Sequence, residues 1–173
     1  MNREFDLWIA SLALNEPDEG GDVGVPPVGR LDFLREVFDA HGPVSPSELT
    51  AAWSAREMQL ARRAVDLFAA DLGRTTALAP RIEVRRLDDG VTAVTYNGSY
   101  QTPAVLSIRE PESICEVADN LRDHVVEDLW AVWPKCPRHR VGLYPQPVAG
   151  HAVWHCRTGE HAVSDIGELR TPG

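Results

Sequence analysis

Two short pairs near the end of the chain carry residue types suited to holding a metal ion. Cys136-Pro-Arg-His139 is a C-x2-H pair, and Cys156-Arg-Thr-Gly-Glu-His161 is a C-x4-H pair. The sixteen residues from Arg140 to His155 separate them, a hairpin-length spacer. Thiolates and imidazoles are the ligands zinc prefers, and a structural zinc site needs four of them in a tetrahedron. Two ligands on one short turn converge without strain, so Cys136, His139, Cys156 and His161 are the expected set, binding one structural Zn2+ per chain.

Two other histidines compete for the fourth position. Ala152 to Cys156 reads as a strand, which places Cys156 on the same face as Trp154 and turns His155 and His151 away. His161, beyond the turn at Gly159, is the better ligand. Were His161 not to bind, Cys136, His139 and Cys156 would leave an open position beside Glu160, as catalytic zinc requires. The chain lacks the H-x-E and P-C-x-x-C pattern of nucleobase deaminases, and it lacks H-E-x-x-H. It also has no G-x-S-x-G, P-loop or G-x-G-x-x-G motif.

Weaker constellations lie upstream. His124 stands at i, i+3 and i, i+4 from Glu127 and Asp128, a metal half-site in principle but more commonly a helix-surface ion pair. Cys115 has the acidic neighbours Glu112 and Glu116, the opposite of the cationic setting that activates a thiol. His41, before Gly42-Pro43, suits the last turn of a helix, where it meets free carbonyls. Arg109, Glu110 and His124 flank the junction of a strand region with a long helix, where an accessory enzyme of a biosynthetic or modification pathway would have its pocket.

The elements that position these residues follow from periodicity. Phe5, Trp8, Ile9 and Leu12 share one helical face. Asn15 to Gly29 holds three prolines, four glycines and four acids, the composition of a flexible acidic linker. The first helix is then an arm that docks either on a partner or on its own core. Leu31 to Ala40 predicts a short helix. Ser45-Pro46-Ser47-Glu48 is a capping box with proline at N1, opening a helix to about Leu72. Its buried stripe is Leu49, Trp53, Leu60, Ala64, Leu67, Phe68 and Leu72.

From Arg81 the period changes to two. Arg81–Leu87, Val91–Tyr96 and Ala104–Ile108, punctuated by Asp88-Asp89-Gly90 and Asn97-Gly98, predict a three-stranded antiparallel meander. Tyr96 and Tyr100 are expected to pack across the second turn. Pro111 opens a long helix, to about Trp133, before Pro134. The predicted class is α+β: helices, the meander, a long helix and a C-terminal zinc-ribbon-like hairpin. The predicted divisions are an acidic arm and linker (1–29), an α+β core (30–133) and the hairpin module (134–173).

The 173 residues are 43% apolar and 25% charged, ordinary values for a globular chain. A net charge of −9 and pI near 5.1 argue against a dedicated binder of DNA or anionic membranes. Three scattered cysteines do not make a disulfide framework. No apolar run reaches the roughly 20 residues that span a bilayer, and Glu4 and Asp6 do not suit a signal peptide. A cytoplasmic location is therefore expected. Sixteen arginines against one lysine, Lys135, read as a compositional habit of a GC-rich bacterial genome. Charge is uneven: residues 1–50 hold three basic and ten acidic side chains, residues 131–173 five basic and three acidic.

Leu129-Trp130, Trp133-Pro134, Cys136-Pro137, His139, then Ala152-Val153-Trp154, Cys156 and Ile166-Gly167-Glu168-Leu169 resemble a tail carried by small actinobacterial proteins. There a W-P-x-C-P-x-H knuckle precedes a hairpin ending in A-V-W-x-C and then I-G-x-L. The resemblance covers roughly residues 121–169, does not extend to a match for His161, and implies a zinc-ribbon-like module without implying an activity.

The missing catalytic motifs, the five tryptophans and the acidic arm predict a non-enzymatic protein that acts by protein–protein contact. Weak nucleic-acid contact through Lys135, Arg138, Arg140 and Arg157 is the alternative that the basic tail offers. The hairpin's few large apolar residues, chiefly Val141, Leu143, Val148, Val153 and Trp154, predict that metal orders residues 134–169 while Ser45–Trp133 can fold without it.

Overall fold

The computed structural model describes residues 3–13, 30–88, 90–101 and 107–170. Among these residues, four helices and two three-stranded antiparallel sheets form an α+β fold. The linker Asn15–Gly29 lies outside the described residues, as do residues 104–106 of the expected third strand.

The first helices are amphipathic, and their apolar faces meet. Helix α1 (Arg3–Ala13) and helix α2 (Arg30–His41) bury Phe5, Trp8, Phe33, Leu34, Val37 and Phe38 in one cluster. Edge-to-face packing of Phe5 on Phe38, with centroids 5.3 Å apart, suits the ring quadrupoles. Trp8 Nε1 donates to the Val44 carbonyl at 2.9 Å, so the one polar atom of the indole has a partner. The first helix therefore folds on its own chain. His41 is the last residue of α2, and Gly42 (φ 73°) closes it by donating to the Phe38 carbonyl.

Helix α3 (Pro46–Thr75) begins at the expected capping box: the Ser45 hydroxyl accepts from the Glu48 amide, and Glu48 reaches back to the Ser45 amide. It continues through Gly73 instead of stopping near Leu72. The Thr75 and Thr76 hydroxyls donate to the carbonyls of Asp71 and Leu72 and cap its last turn. The helix serves two cores. Leu49, Ala52 and Trp53 pack on the N-terminal aromatic cluster, while Ala61, Ala64, Phe68 and Leu72 enter the main core.

Strands β1 (Ile82–Arg86), β2 (Thr92–Tyr96) and β3 (Ser99–Gln101) form the meander in that order. Asn97 and Gly98 both have positive φ, as a two-residue turn matching the sheet's twist requires. The third strand begins directly after this turn rather than at Ala104, and Ile108 joins the aromatic cluster instead. Tyr96 is paired with Ser99 and Tyr100 with Thr95. Alternation thus sends the two tyrosines to opposite faces, and they do not pack together: Tyr96 is buried and Tyr100 is 55% exposed.

Helix α4 (Glu110–Leu129) packs along α3 and ends four residues before the expected Trp133, because Trp130 takes the left-handed conformation (φ 49°). Beyond it, β4 (Tyr144–Val148), β5 (His151–Cys156) and β6 (His161–Asp165) form the second sheet, with a two-residue turn of positive φ at Ala149-Gly150. Trp133, Leu143, Trp154, Ile166 and Leu169 bury themselves in the same core as Phe68, Val117 and Leu121. No helix among the described residues is long and apolar enough to cross a membrane.

Candidate metal centre

The loop after α4 turns back on itself tightly. The Arg140 amide donates to the Cys136 carbonyl at 2.9 Å, the Cys136 amide to Val141 at 2.8 Å, and Arg140 takes φ 58°. This brings Cys136 and His139 to one side of the loop. Across from it, β5 and β6 are joined by the turn Arg157–Glu160, which carries Cys156 at its entry and His161 at its exit, directly paired. A bulge between Trp154 and His155 shifts the register there. Bulges re-aim side chains near functional sites.

Cys136, His139, Cys156 and His161 form one cluster that could hold a metal ion, their ligand atoms all within 4.8 Å of one another. His139 Nδ1 is 3.5 Å from Cys136 Sγ and 3.3 Å from Cys156 Sγ, and His161 Nε2 is 3.8 Å from Cys136 Sγ. With metal–sulfur and metal–nitrogen bonds of about 2.3 and 2.0 Å, sulfur–nitrogen edges of a tetrahedron are roughly 3.5 Å. The cluster has the dimensions of a four-coordinate site.

Three surrounding features suit a metal. His161 Nδ1 lies 3.2 Å from the Gly159 carbonyl, an arrangement that places the proton on Nδ1 and frees Nε2 as a ligand. Burial opposes ionisation of the Cys136 thiol. The amides of His139 and Arg138, the Cys156 side chain and the Arg138 charge outweigh that opposition, and the pKa is lowered from the ordinary thiol value. Gly159 sits against both imidazoles: a Cβ there would stand 2.7 Å from His161 Nδ1 and 2.9 Å from His139 Nδ1. A side chain at Gly159 would force the two rings, or the turn, to shift. Both thiols are fully buried, whereas His139 is exposed and His161 half-buried.

His155 and His151 lie outside the cluster. His151 stands at the opposite end of β5, about 16 Å away at the rise of a strand, and pairs with Asp165 at 3.2 Å. It cannot replace His161. His124 stacks on Tyr96 with centroids 5.1 Å apart, and the Tyr96 hydroxyl donates to Asp128 at 2.6 Å. Burial first, and then Asp128, raise the Tyr96 pKa. The i, i+4 pair is thus tied to the meander through Tyr96. Cys115 is buried in the core, and burial pushes its thiol up to about 12. Arg109 pairs with Asp32 at 2.6 Å, and Glu110 pairs with Arg63. His124 is fourteen residues along the helix from Glu110, roughly 21 Å. These three residues do not converge on one pocket.

No sequence motif marks Asp71, which the fold makes a central residue. Fully buried on α3, it accepts from Trp154 Nε1, the Gly167 amide and the Leu169 amide, each at 2.7 Å. Burial pushes its pKa above the ordinary carboxylate value against the pull of these three donors and Arg74. Gly167 (φ 97°) presses on Leu67: a Cβ there would lie 3.2 Å from Leu67 Cβ. Asp71 therefore staples the hairpin to α3 through residues of the A-V-W-x-C and I-G-x-L segments. The signal was present as a carboxylate three residues after Phe68 on an otherwise apolar stripe.

No family model matches this chain, and no curated protein or solved structure matches it.

Proposed function

We propose that the Cys136–His139–Cys156–His161 cluster is a structural zinc site and that the protein acts as a non-enzymatic partner or accessory protein through protein contact. The observation that carries the reading is the complete set of four ligand atoms at tetrahedral spacing, on two turns whose own hydrogen bonds aim them inward. A closed set of two sulfurs and two nitrogens suits Zn2+, which has no geometric demand beyond four ligands. Bound zinc would cross-link the loop after α4 to the β5–β6 turn, supplying folding energy instead of a reactive water. A cytoplasmic setting, where thiols stay reduced, fits three free cysteines.

Cobalt substitution tests the closed site. Co2+-loaded protein should give a tetrahedral absorption spectrum with thiolate charge-transfer bands, unchanged by azide or cyanide. A spectral shift on adding either anion would reveal an open position and overturn the structural assignment in favour of a catalytic one.

A further inference from the structure

Trp130 is 96% exposed and ends α4 in the left-handed conformation, a position glycine or asparagine ordinarily fills. Its indole makes no hydrogen bond or aromatic contact among the described residues. Neither packing nor backbone preference accounts for a tryptophan here. Val132, 50% exposed, follows it. Val132 and Lys135 both border Gly142: a Cβ on that glycine would lie 3.3 Å from Val132 Cγ1, and Lys135 is bridged to it. Lys135, Arg138 and Arg140 are exposed, and none forms an ion pair among the described residues, whereas Arg63, Arg86, Arg109 and Arg122 are all paired with carboxylates.

We propose that Trp130 and Val132, with Lys135, Arg138 and Arg140 on the loop that follows them, form a docking surface for an acidic protein segment that receives the indole among its own apolar side chains. An exposed tryptophan whose following loop carries three cations unpaired among the described residues has the anatomy of an interface anchor with a charged rim. Charge complementarity selects the partner. The chain carries −9 overall, so an acidic segment is repelled from most of the surface and steered to this patch. A nucleic-acid strand would carry its phosphates past three cations onto acidic surface, which favours a short acidic peptide instead. The inference rests on the reading of the tail as a metal-ordered contact module, because these cations stand on or beside the loop that holds Cys136 and His139.

The test uses the full-length, metal-loaded protein and three fluorescent probes. These are glutamate-rich peptides with Leu, Phe or Trp centres, the same peptides with lysine in place of glutamate, and oligothymidylate. The glutamate peptides should bind and the lysine peptides should not. Trp130→Ala should weaken binding by about tenfold or more, and Arg138→Glu combined with Arg140→Glu should weaken it similarly. Because the indole is exposed, Trp130→Ala should keep wild-type metal content and circular dichroism. Failure of the wild type to bind the glutamate peptides, or equal binding by Trp130→Ala, would overturn the proposal. Trp130-dependent binding of oligothymidylate alone would replace it with nucleic-acid contact. Metal content is measured on the same samples. Metal without peptide binding overturns the docking surface only, and peptide binding without metal overturns the structural-zinc reading only.

Discussion

The N-terminal aromatic cluster and the C-terminal hairpin both pack on α3, one at each end, yet they are held by different means. The first is closed by Phe5, Trp8, Phe33 and Phe38, with Trp53 at its edge, and needs little beyond shape and burial. The second also buries aromatics, with Phe68, Trp133 and Trp154 in mutual contact. It adds devices that depend on particular residues: a buried carboxylate with three donors, a glycine under two imidazoles, and four converging ligands. Apolar packing accommodates volume-conserving change, whereas buried polar networks fail when one member is lost. The two regions should therefore respond differently to the same kinds of damage.

Metal removal should have the largest effect. Structural zinc contributes about 10–16 kcal/mol in zinc-finger peptides, comparable with a whole domain's stability. Since Leu143, Trp154 and Leu169 share a core with Phe68 and Leu121, chelation should not melt residues 134–169 alone, as the apolar content of the hairpin suggested. Hydrogen exchange should instead rise together in the hairpin, α4 and the second half of α3, while α1 and α2 stay protected. Cys136→Ser should reproduce this pattern. Exchange confined to 134–169 would show that the shared core does not couple them.

Asp71→Ala comes next. It leaves the Trp154, Gly167 and Leu169 donors buried without partners, at a cost of about 3–5 kcal/mol. Trp8→Ala, at the other end of α3, should cost about 3 kcal/mol through lost aromatic burial. The comparison lies in what accompanies the loss: denaturant titration should show both variants weakened, but only Asp71→Ala should also release metal more readily to a competing chelator. Equal metal retention would mean that the staple and the site are independent.

Gly159→Ala should weaken metal binding by roughly 10–100-fold, the range for residues that orient ligands. Global stability of the metal-saturated protein should change little. A competition titration would detect this, and unchanged affinity would show that the turn can shift away from the imidazoles.

The smallest effect concerns Cys115. Its thiol is pushed up to about 12 by burial, from an ordinary value of 9.0, so the folded chain keeps a proton that the unfolded chain releases. That contribution to stability is complete below pH 9 and is lost as pH rises from about 9 towards about 12. Cys115→Ala should flatten that part of the profile. Near neutral pH, an alkylating reagent should leave Cys115 untouched in the metal-loaded protein, and chelation, by opening α4, should expose it.

The helices and the ligand set were legible because both are local signals. Apolar spacing marked α1 to α4, Ser45-Pro46-Ser47-Glu48 marked the start of α3, and the two Cys/His pairs marked the cluster. What was not legible depends on distant partners. Strand β3 is three residues long, too short for a periodic signal. The end of α4 is set by a tryptophan in a conformation that its residue type disfavours. Asp71 meets Gly167 and Leu169 almost a hundred residues away, so nothing near it in the chain announces the bond. The hairpin resembled a separate tail because the residue that anchors it lies outside the resembling stretch.

Metal analysis of protein purified without an affinity tag decides whether the cluster is a zinc site. The wild type should carry one zinc per chain, lost in Cys136→Ser and reduced in His161→Ala, since His151 is too distant to substitute. A stoichiometry near zero in wild-type protein whose hairpin amides remain protected from exchange would contradict the zinc assignment.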